Sequence, residues 1–479
     1  METLENFVGG RWVPSRASEF HDVHNPATGE TIARTPLSTG ADVDAAVAAA
    51  TKAFPAWRDT PPVARSKILF RFRELLEEHF EDLAATVTRE HGKTLEESRG
   101  SVRRGIECVE VACGTPSLMM GYGLENIAAG IDCSVIRQPI GVCAAIAPFN
   151  FPAMVPLWFL PFAIGTGNTF ILKPSEQVPM TQARIARLLE SAGLPPGVVN
   201  LVHGGREVVE AICDHPDIPA VSFVGSTPVA KAVYLRATNA GKRCQALGGA
   251  KNFVVVMPDA DLARATEAIT ESFFGCAGER CLAGSVLVPV GEAHAEARER
   301  LEAAAKALVV GDGAQPGVGM GPVISAAHRE RVLGYIEKGK AEGARLVVGG
   351  GVPSQFPKGF YVEPTLFVDV DPDSTIAQEE IFGPVLAVLR YQDDDDAVRI
   401  ANNSRYGLSG AVSGGSLERA LGVASRIRTG TIAVNGGAWF GADSPFGGYK
   451  ESGIGREHGL AGFEEYLELK TVGLPADAA

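Results

Sequence analysis

The sequence predicts an α/β protein built on two parallel sheets. Three observations carry that expectation. From Val142 to Met257, short wholly apolar runs alternate with helical segments, the rhythm of βαβ units whose strands are buried on both faces. A second alternating block runs from about Leu262 to Asn435. At 479 residues the chain also exceeds the size that one core supports.

Before the first block, Phe7 to Pro36 alternates and turns at Asn25-Pro26 and Thr28-Gly29-Glu30, which predicts a short hairpin. Asp42 to Ala53 opens with an acidic turn and continues alanine-rich, which predicts a helix. Val63 to Glu90 and Thr94 to Met120 keep helical periodicity, with Glu/Arg pairs on solvated faces. The pattern changes after Gly121. Ile131 to Val135 and Val142 to Ala147 flank Pro139-Ile140-Gly141 and read as strands. Further strands are expected at Asn168–Leu172, Val198–Val202, Ala220–Val224 and Phe253–Met257, with helices at Met180–Ala192, Val208–Cys213 and Pro228–Asn239 between them. Asp393 to Asp396 fits a solvated helix N-terminus, and Gly459 to Val472 reads as a strand leaving the globule.

Composition excludes several function classes. Lys and Arg number 44 against 57 Asp and Glu, a net charge of −13 without basic clusters, which suits neither nucleic acid nor an anionic membrane surface. The longest apolar run, Phe149 to Ile164, is broken by Pro152, Pro156 and Pro161 and falls short of the ~20 residues of a membrane span. Met1-Glu2-Thr3-Leu4-Glu5 is acidic and polar, unlike a secretory leader. Eight scattered cysteines form no Cys-x-x-Cys pair, so neither a disulfide framework nor a metal site is expected, and the compartment is read as reducing cytoplasm.

The chemistry gathers around Gly275-Cys276-Ala277-Gly278-Glu279-Arg280-Cys281-Leu282-Ala283-Gly284, a small-residue loop entering the apolar run Val286 to Val290. Such a loop lets backbone approach a ligand and leaves room beside a sulfur. Arg280 beside Cys281 is expected to favour the thiolate, which is the nucleophilic form. The alternative is a small buried hydrophobe. Phe223-Val224-Gly225-Ser226-Thr227-Pro228 closes a strand and opens a helix, where Ser226 can cap and the exposed N–H groups can hold a pyrophosphate. An ordinary capped helix would read the same way. Lys173-Pro174-Ser175-Glu176 follows another strand, and a Lys and a Glu can bond ribose hydroxyls there; a surface turn is the alternative. Asn150, in Pro148-Phe149-Asn150-Phe151-Pro152, is an amide in an apolar turn, either satisfied locally or aimed at a developing oxyanion. Glu379-Glu380-Ile381-Phe382-Gly383-Pro384 sets carboxylates and an aromatic before a Gly-Pro turn. Gly453-Ile454-Gly455 lacks a strand-to-helix context and is not read as a dinucleotide loop.

Taken in order, Asn150 in its Pro-Phe-Asn-Phe-Pro turn, the 173–176, 223–226, 278–281 and 379–385 motifs and Ser444 to Glu457 resemble the aldehyde dehydrogenase superfamily along essentially the whole chain. The resemblance implies a Rossmann-like NAD-binding domain (1–120 and 141–247), a catalytic domain (248–446) and a small β oligomerisation flap (121–140 and 459–479), assembled as a homodimer or homotetramer. It implies Cys281 as nucleophile on a small-molecule aldehyde, with Asn150 and the Cys281 N–H as oxyanion donors. Lys173, Ser175 and Glu176 would hold the adenosine ribose, Gly225 and Ser226 the pyrophosphate, and Glu380 and Phe382 the nicotinamide ribose and ring. NAD is expected over NADP. Where most members carry a glutamate base before Leu-Gly-Gly, Ala246 stands here. That loss, with Gly278-Glu279-Arg280-Cys281 and Arg104-Gly105-Ile106-Glu107, looks like the branch that oxidises methylmalonate semialdehyde and passes the acyl group to coenzyme A. There Arg104 and Arg280 would bind the substrate carboxylate. The tail from Ser444 resembles the hydrolytic branches instead and offers Glu457 as a second possible base.

Overall fold

A computed structural model describes residues 2–437 and 441–475. Of the expected catalytic domain, residues 438–440 lie outside the described residues, as do residues 476–479 of the expected flap. Five parallel strands form the centre of an eight-stranded sheet, in the spatial order Arg243–Leu247, Ala220–Val224, Val142–Ile146, Thr169–Lys173, Val199–Leu201. Antiparallel strands close both edges: Gly453–Ile454 on one side, Asn6–Val8 and Arg11–Val13 on the other. The chain winds outward one way from Val142–Ile146, then returns to its other side at Ala220–Val224. That reversal opens a crevice at the carboxyl ends of the two strands, where open α/β sheets bind ligands.

Side-chain alternation explains why this sheet needs helices on both faces. Val142, Ala144 and Ile146 enter one buried cluster with Val43, Val47 and Val208. Cys143, Ala145 and Ala147 enter the opposite one with Leu69, Phe72 and Val109.

The second sheet has seven strands in the order Arg345–Val348, Thr365–Val368, Val385–Val388, Val286–Pro289, Phe253–Val256, Gly410–Ser413, Ala433–Val434. Every neighbouring pair is parallel except the first. Val286–Pro289 lies at its centre, so the loop before it arrives at the middle of the sheet. A third, antiparallel sheet joins Leu467–Pro475, Ile131–Pro139 and Tyr122–Ala128.

One expectation changes. Residues 459–472 are not one strand: Gly459–Glu464 is a helix, and the strand begins at Leu467. The segment lacks alternation, and a Cβ on Gly462 would come within 2.7 Å of the Glu457 carbonyl carbon, so the turn packs too closely for a strand. Gly453-Ile454-Gly455, which carries no ligand loop, supplies an edge strand against Ala246 and Leu247.

Candidate active site

Helix Leu262–Phe274, capped by the Asp261 carboxylate, stops at Gly275. Cys276, Ala277 and Gly278 follow with φ of 51°, 51° and 75°, three consecutive left-handed residues of which two carry side chains. Such residues cost of order 1–3 kcal/mol each and persist only where surroundings hold them. The surroundings here are specific. The Glu97 Oε1 accepts the Cys276 N–H at 2.6 Å. A Cβ on Gly278 would sit 2.3 Å from the Gly383 carbonyl oxygen, so only glycine lets the two loops touch. Beyond the turn, the Asn252 amide donates to the carbonyls of Cys281 (2.7 Å) and Ala283 (2.9 Å) and accepts the Ser409 N–H at 3.1 Å. The Cys281 backbone is thereby pinned to the start of strand Phe253–Val256, next to the central one.

The Cys281 side chain is partly buried. Burial pushes its thiol up to about 12, and the Glu380 carboxylate adds to that shift. Arg280 opposes it, the direction expected of a neighbouring guanidinium, but more weakly than burial and Glu380 raise it. Its Nε donates to the Cys276 sulfur at 3.3 Å, and its terminal nitrogens reach the Glu271 carbonyl (3.3 Å) and Glu97 (3.4 Å). Neighbouring residues of an open loop point to different sides, and the guanidinium folds back over its own turn.

Asn150 comes from the other sheet, in the turn after Val142–Ile146. It is buried, and its Nδ2 donates to the Glu279 carbonyl at 3.1 Å, two residues before Cys281. Its own carbonyl accepts the Lys93 ammonium at 2.5 Å. Glu279 itself is fully buried. Burial holds its carboxyl well above the usual range, against the pull of the Ile324 N–H and Lys93.

The remaining carboxylates divide sharply. Ala246 is buried in the strand Arg243–Leu247 and offers no base. Glu457 is fully buried, and neither of its oxygens meets a hydrogen-bond partner among the described residues. Burial, with Glu465 adding to it, drives its carboxyl well above the usual range. A carboxyl shut away from solvent, with no hydrogen-bond partner among the described residues, is poorly placed to take a proton from water. Glu380 differs: its Oε1 accepts the Ala250 N–H at 2.8 Å, and burial lifts it only to about 7.

At the crevice, the Lys173 Nζ bonds the Glu176 Oε2 at 3.0 Å. Burial raises Glu176, but Lys173 and local N–H donation outweigh it and hold the carboxyl below its ordinary value. Ser175 is buried beside them, its hydroxyl accepting the Gln177 N–H at 3.4 Å. Ser226 occupies the N-cap position of helix Thr227–Asn239, yet its side chain makes no cap hydrogen bond and is exposed. That corrects the expected capping role and leaves the hydroxyl at the crevice. A Cβ on Gly225 would come within 2.5 Å of the Phe223 ring. Phe382, at φ 60°, has its carbonyl against His328 Nε2 at 2.7 Å and its ring edge-on to Phe149. Arg104 is exposed on helix Leu95–Cys113.

Four further residues serve this site without having been anticipated. Lys93 and Glu97 lie near a helix start and Asn252 before a strand, where a sequence shows only ordinary polar residues. Lys251 is buried, and its ammonium has no hydrogen-bond partner among the described residues. Burial pushes it down to about 7, opposed by Glu380 and Glu379.

Two parallel sheets, a strained cysteine loop at the centre of one and a ligand crevice in the other define the class. The chain belongs to the aldehyde dehydrogenase family, whose profile matches residues 12–472. Within that family it is 49% identical over 479 residues to malonate-semialdehyde dehydrogenase 2 of Geobacillus thermodenitrificans (strain NG80-2), covering 98% of each chain. The malonate-semialdehyde dehydrogenase of Halalkalibacterium halodurans is 45% identical, again over 98% of both. Among solved structures, methylmalonate-semialdehyde dehydrogenase from Oceanimonas doudoroffii superposes with a TM-score of 0.97 at 42% identity, covering 100% of this chain and 99% of that one. A Sinorhizobium meliloti 1021 protein assigned to the same activity, solved with NAD, gives 0.97 at 40% identity, covering 99% of this chain and 98% of that one.

Proposed function

We propose that this aldehyde dehydrogenase oxidises a small acid-bearing semialdehyde, of the malonate or methylmalonate type, with NAD, and transfers the acyl group to coenzyme A. The observation that carries the proposal is the meeting of the Asn150 amide with the Cys281 loop, through the Glu279 carbonyl, together with the lack of a base at Ala246. The Cys281 sulfur attacks the aldehyde carbon, and the oxygen's charge is received by the Asn150 amide and the Cys281 backbone N–H. Loss of hydride leaves a thioester on the sulfur. The coenzyme A thiolate then attacks the thioester carbon, the bond to Cys281 breaks, and acyl-coenzyme A departs.

The crevice suits a dinucleotide. An ionised Glu176 paired with Lys173 can bond the adenosine ribose with Ser175 beside them. The exposed Ser226 hydroxyl and a helix N-terminus, approached closely over Gly225, can take the pyrophosphate. Glu380 and Phe382 would hold the nicotinamide ribose and ring. NAD, when bound, supplies the hydride acceptor. For the substrate carboxylate, Arg104 remains the candidate, since Arg280 already contacts Glu97 and Cys276.

Hydrolysing a thioester needs a positioned base, worth ~10²–10⁴ in rate. Ala246 provides none and Glu457 is shut away from solvent, whereas a thiol brings its own nucleophile. One observation favours hydrolysis as a second reading: Glu380, close enough to Cys281 to raise its thiol and itself held near 7, could deprotonate water. Mass analysis of the product formed from malonate semialdehyde and NAD, with and without saturating coenzyme A, decides between them. Acyl-coenzyme A at an accelerated rate is expected. Free acid alone at an unchanged rate overturns the acylating route.

Tyr122, Leu124, Ile127, Leu469 and Leu474 are exposed on the third sheet, an apolar surface suited to a second copy of the chain, so a homodimer or homotetramer is proposed. Among the described residues no helix is long and apolar enough to cross a membrane. All eight cysteines are free, which fits the reducing cytoplasm proposed as its compartment.

A further inference from the structure

We infer that Lys93 is a positioning residue for the oxyanion donors, a single ammonium joining the Asn150 turn to the nucleophile loop. The inference rests on the roles proposed above for Cys281 and Asn150. Lys93 lies in the short connection between helices Phe80–His91 and Leu95–Cys113 and is 1% exposed, an unusual position for a charged side chain. Its Nζ donates to the Asn150 carbonyl at 2.5 Å and stands 3.9 Å from the Phe151 ring centroid, and its charge lies near enough to the Cys276 sulfur to interact with it. An ammonium has three N–H donors and no acceptor, and here a carbonyl, a sulfur and a ring face surround it.

Two of those partners belong to the two halves of the proposed oxyanion site. Asn150 carries one donor. Cys276 begins the left-handed turn that delivers the other, the Cys281 N–H. Neither half has a strong reason of its own to keep its geometry: the Asn150 turn is a proline-flanked loop, and Cys276 and Ala277 sit in a conformation that side chains disfavour. Direct contact between the halves is limited on the Asn150 side chain to one neutral hydrogen bond, to the Glu279 carbonyl. Lys93 adds a charge-assisted bond to the Asn150 carbonyl, roughly twice as strong as a neutral one, from the same segment whose Glu97 holds the Cys276 N–H.

The backbone that bears Lys93 is itself fixed. The Leu95 N–H donates to the Gly313 carbonyl at 2.9 Å. A Cβ on Gly313 would lie 2.5 Å from the Lys93 carbonyl oxygen, and one on Gly321 would lie 2.0 Å from that of Gly92. One turn on, Glu97 holds the Cys276 N–H, and a capping box with Thr94 orients that carboxylate. The ammonium therefore works from an anchored base. Without it the Asn150 turn is held to the cysteine loop by the neutral bond to the Glu279 carbonyl alone, and a displacement near 1 Å is enough to cost ~10²-fold in rate. The crevice side chains Glu176 and Ser226 stand on other strand ends, so cofactor affinity is spared.

The test is kinetic, on the full chain with NAD and malonate semialdehyde. Lys93→Met is expected to lower kcat roughly 10–100-fold, with KM for the aldehyde and Kd for NAD within about twofold of wild type. Asn150→Ala should lose ~10²–10³. Because Lys93 acts through the Asn150 geometry, the double variant should be no slower than Asn150→Ala alone, a non-additivity that a general loss of stability would not give. Losses that multiply, or a Lys93→Met kcat within twofold of wild type, overturn the inference. Should Lys93→Met not fold, Phe151→Leu removes the ring face alone and must show a smaller loss with the same non-additivity; multiplying losses there also overturn it. Cys281→Ala and Asn150→Ala serve as controls. Wild-type turnover in either removes the underlying reading, whereas their inactivity beside an unimpaired Lys93→Met removes only the role of Lys93.

Discussion

The Asn150 side-chain amide donates to the carbonyl of Glu279 at 3.1 Å, across the seam between the two sheets. One end of that bond follows a strand of the first sheet, and the other belongs to the loop that delivers Cys281 to the second. A carbon attacked by the sulfur would have its oxygen within reach of this amide only while both loops keep their places.

Cys281 should be a sluggish thiol in the cofactor-free enzyme. Its titration is pushed up to about 12, first by burial and then by Glu380, so the thiolate fraction grows with pH throughout the accessible range. Alkylation by iodoacetamide, followed at the Cys281 peptide by mass, should climb about tenfold per pH unit from 7 to 10. A plateau below pH 9 would place the thiol's titration lower and make Arg280 the stronger influence.

Gly278→Ala should damage the site more than the fold. Its φ of 75° and the 2.3 Å approach to the Gly383 carbonyl leave no room for a methyl group. The strain is of order 1–3 kcal/mol, to be read as a lowered melting temperature. A displaced cysteine loop should cost kcat ~10²-fold. Wild-type turnover would mean that the loop tolerates another path.

Glu457→Gln should keep turnover within about twofold, because an amide replaces a carboxyl whose charged form burial disfavours and which is closed to solvent. Its product ratio should not change with coenzyme A absent or present. A loss of free-acid formation specific to this variant would restore Glu457 as a base.

NAD should be preferred over NADP. The Glu176 carboxylate, kept ionised by Lys173, would face a 2′-phosphate of like charge. Two unit charges 4 Å apart interact by ~4 kcal/mol at an effective dielectric of about 20, and solvent weakens this. Glu176→Gln should therefore narrow the ratio of kcat/KM for the two cofactors by roughly tenfold or more. Equal efficiency with both in the wild type would refute the assignment.

Arg104→Ala should raise KM for acid-bearing aldehydes and leave neutral ones nearly unchanged, since a guanidinium binds a carboxylate through two parallel bonds. Equal losses for both classes would make Arg104 a structural residue of its helix.

The fold class was legible because periodicity is local. Val142–Ile146, Thr169–Lys173 and Ala220–Val224 announce themselves as wholly apolar runs, and a run of that kind can be satisfied only between two helical layers. The cysteine loop was legible too, because glycines and a thiol mark a backbone that must come close to something. Residues 459–464 were misread, since a six-residue helix leaves too short a pattern to separate from a strand.

What the sequence determined by itself was therefore the order of the elements, the glycine-rich cysteine loop and the alanine at 246. What only the tertiary structure decided was direction and burial. Arg280 is adjacent to Cys281 in the chain, yet its guanidinium binds Cys276 and Glu97, because a side chain's direction depends on backbone dihedrals that neighbours far away impose. Glu457 reads as a base until its surroundings are known, and complete burial, with no hydrogen-bond partner among the described residues, then disfavours its charged form. Lys93 reads as a solvated lysine before a helix. It becomes a buried link only because Gly313 and Gly321 let a distant segment pack against its backbone, and long-range packing of that kind leaves no periodic trace in the chain.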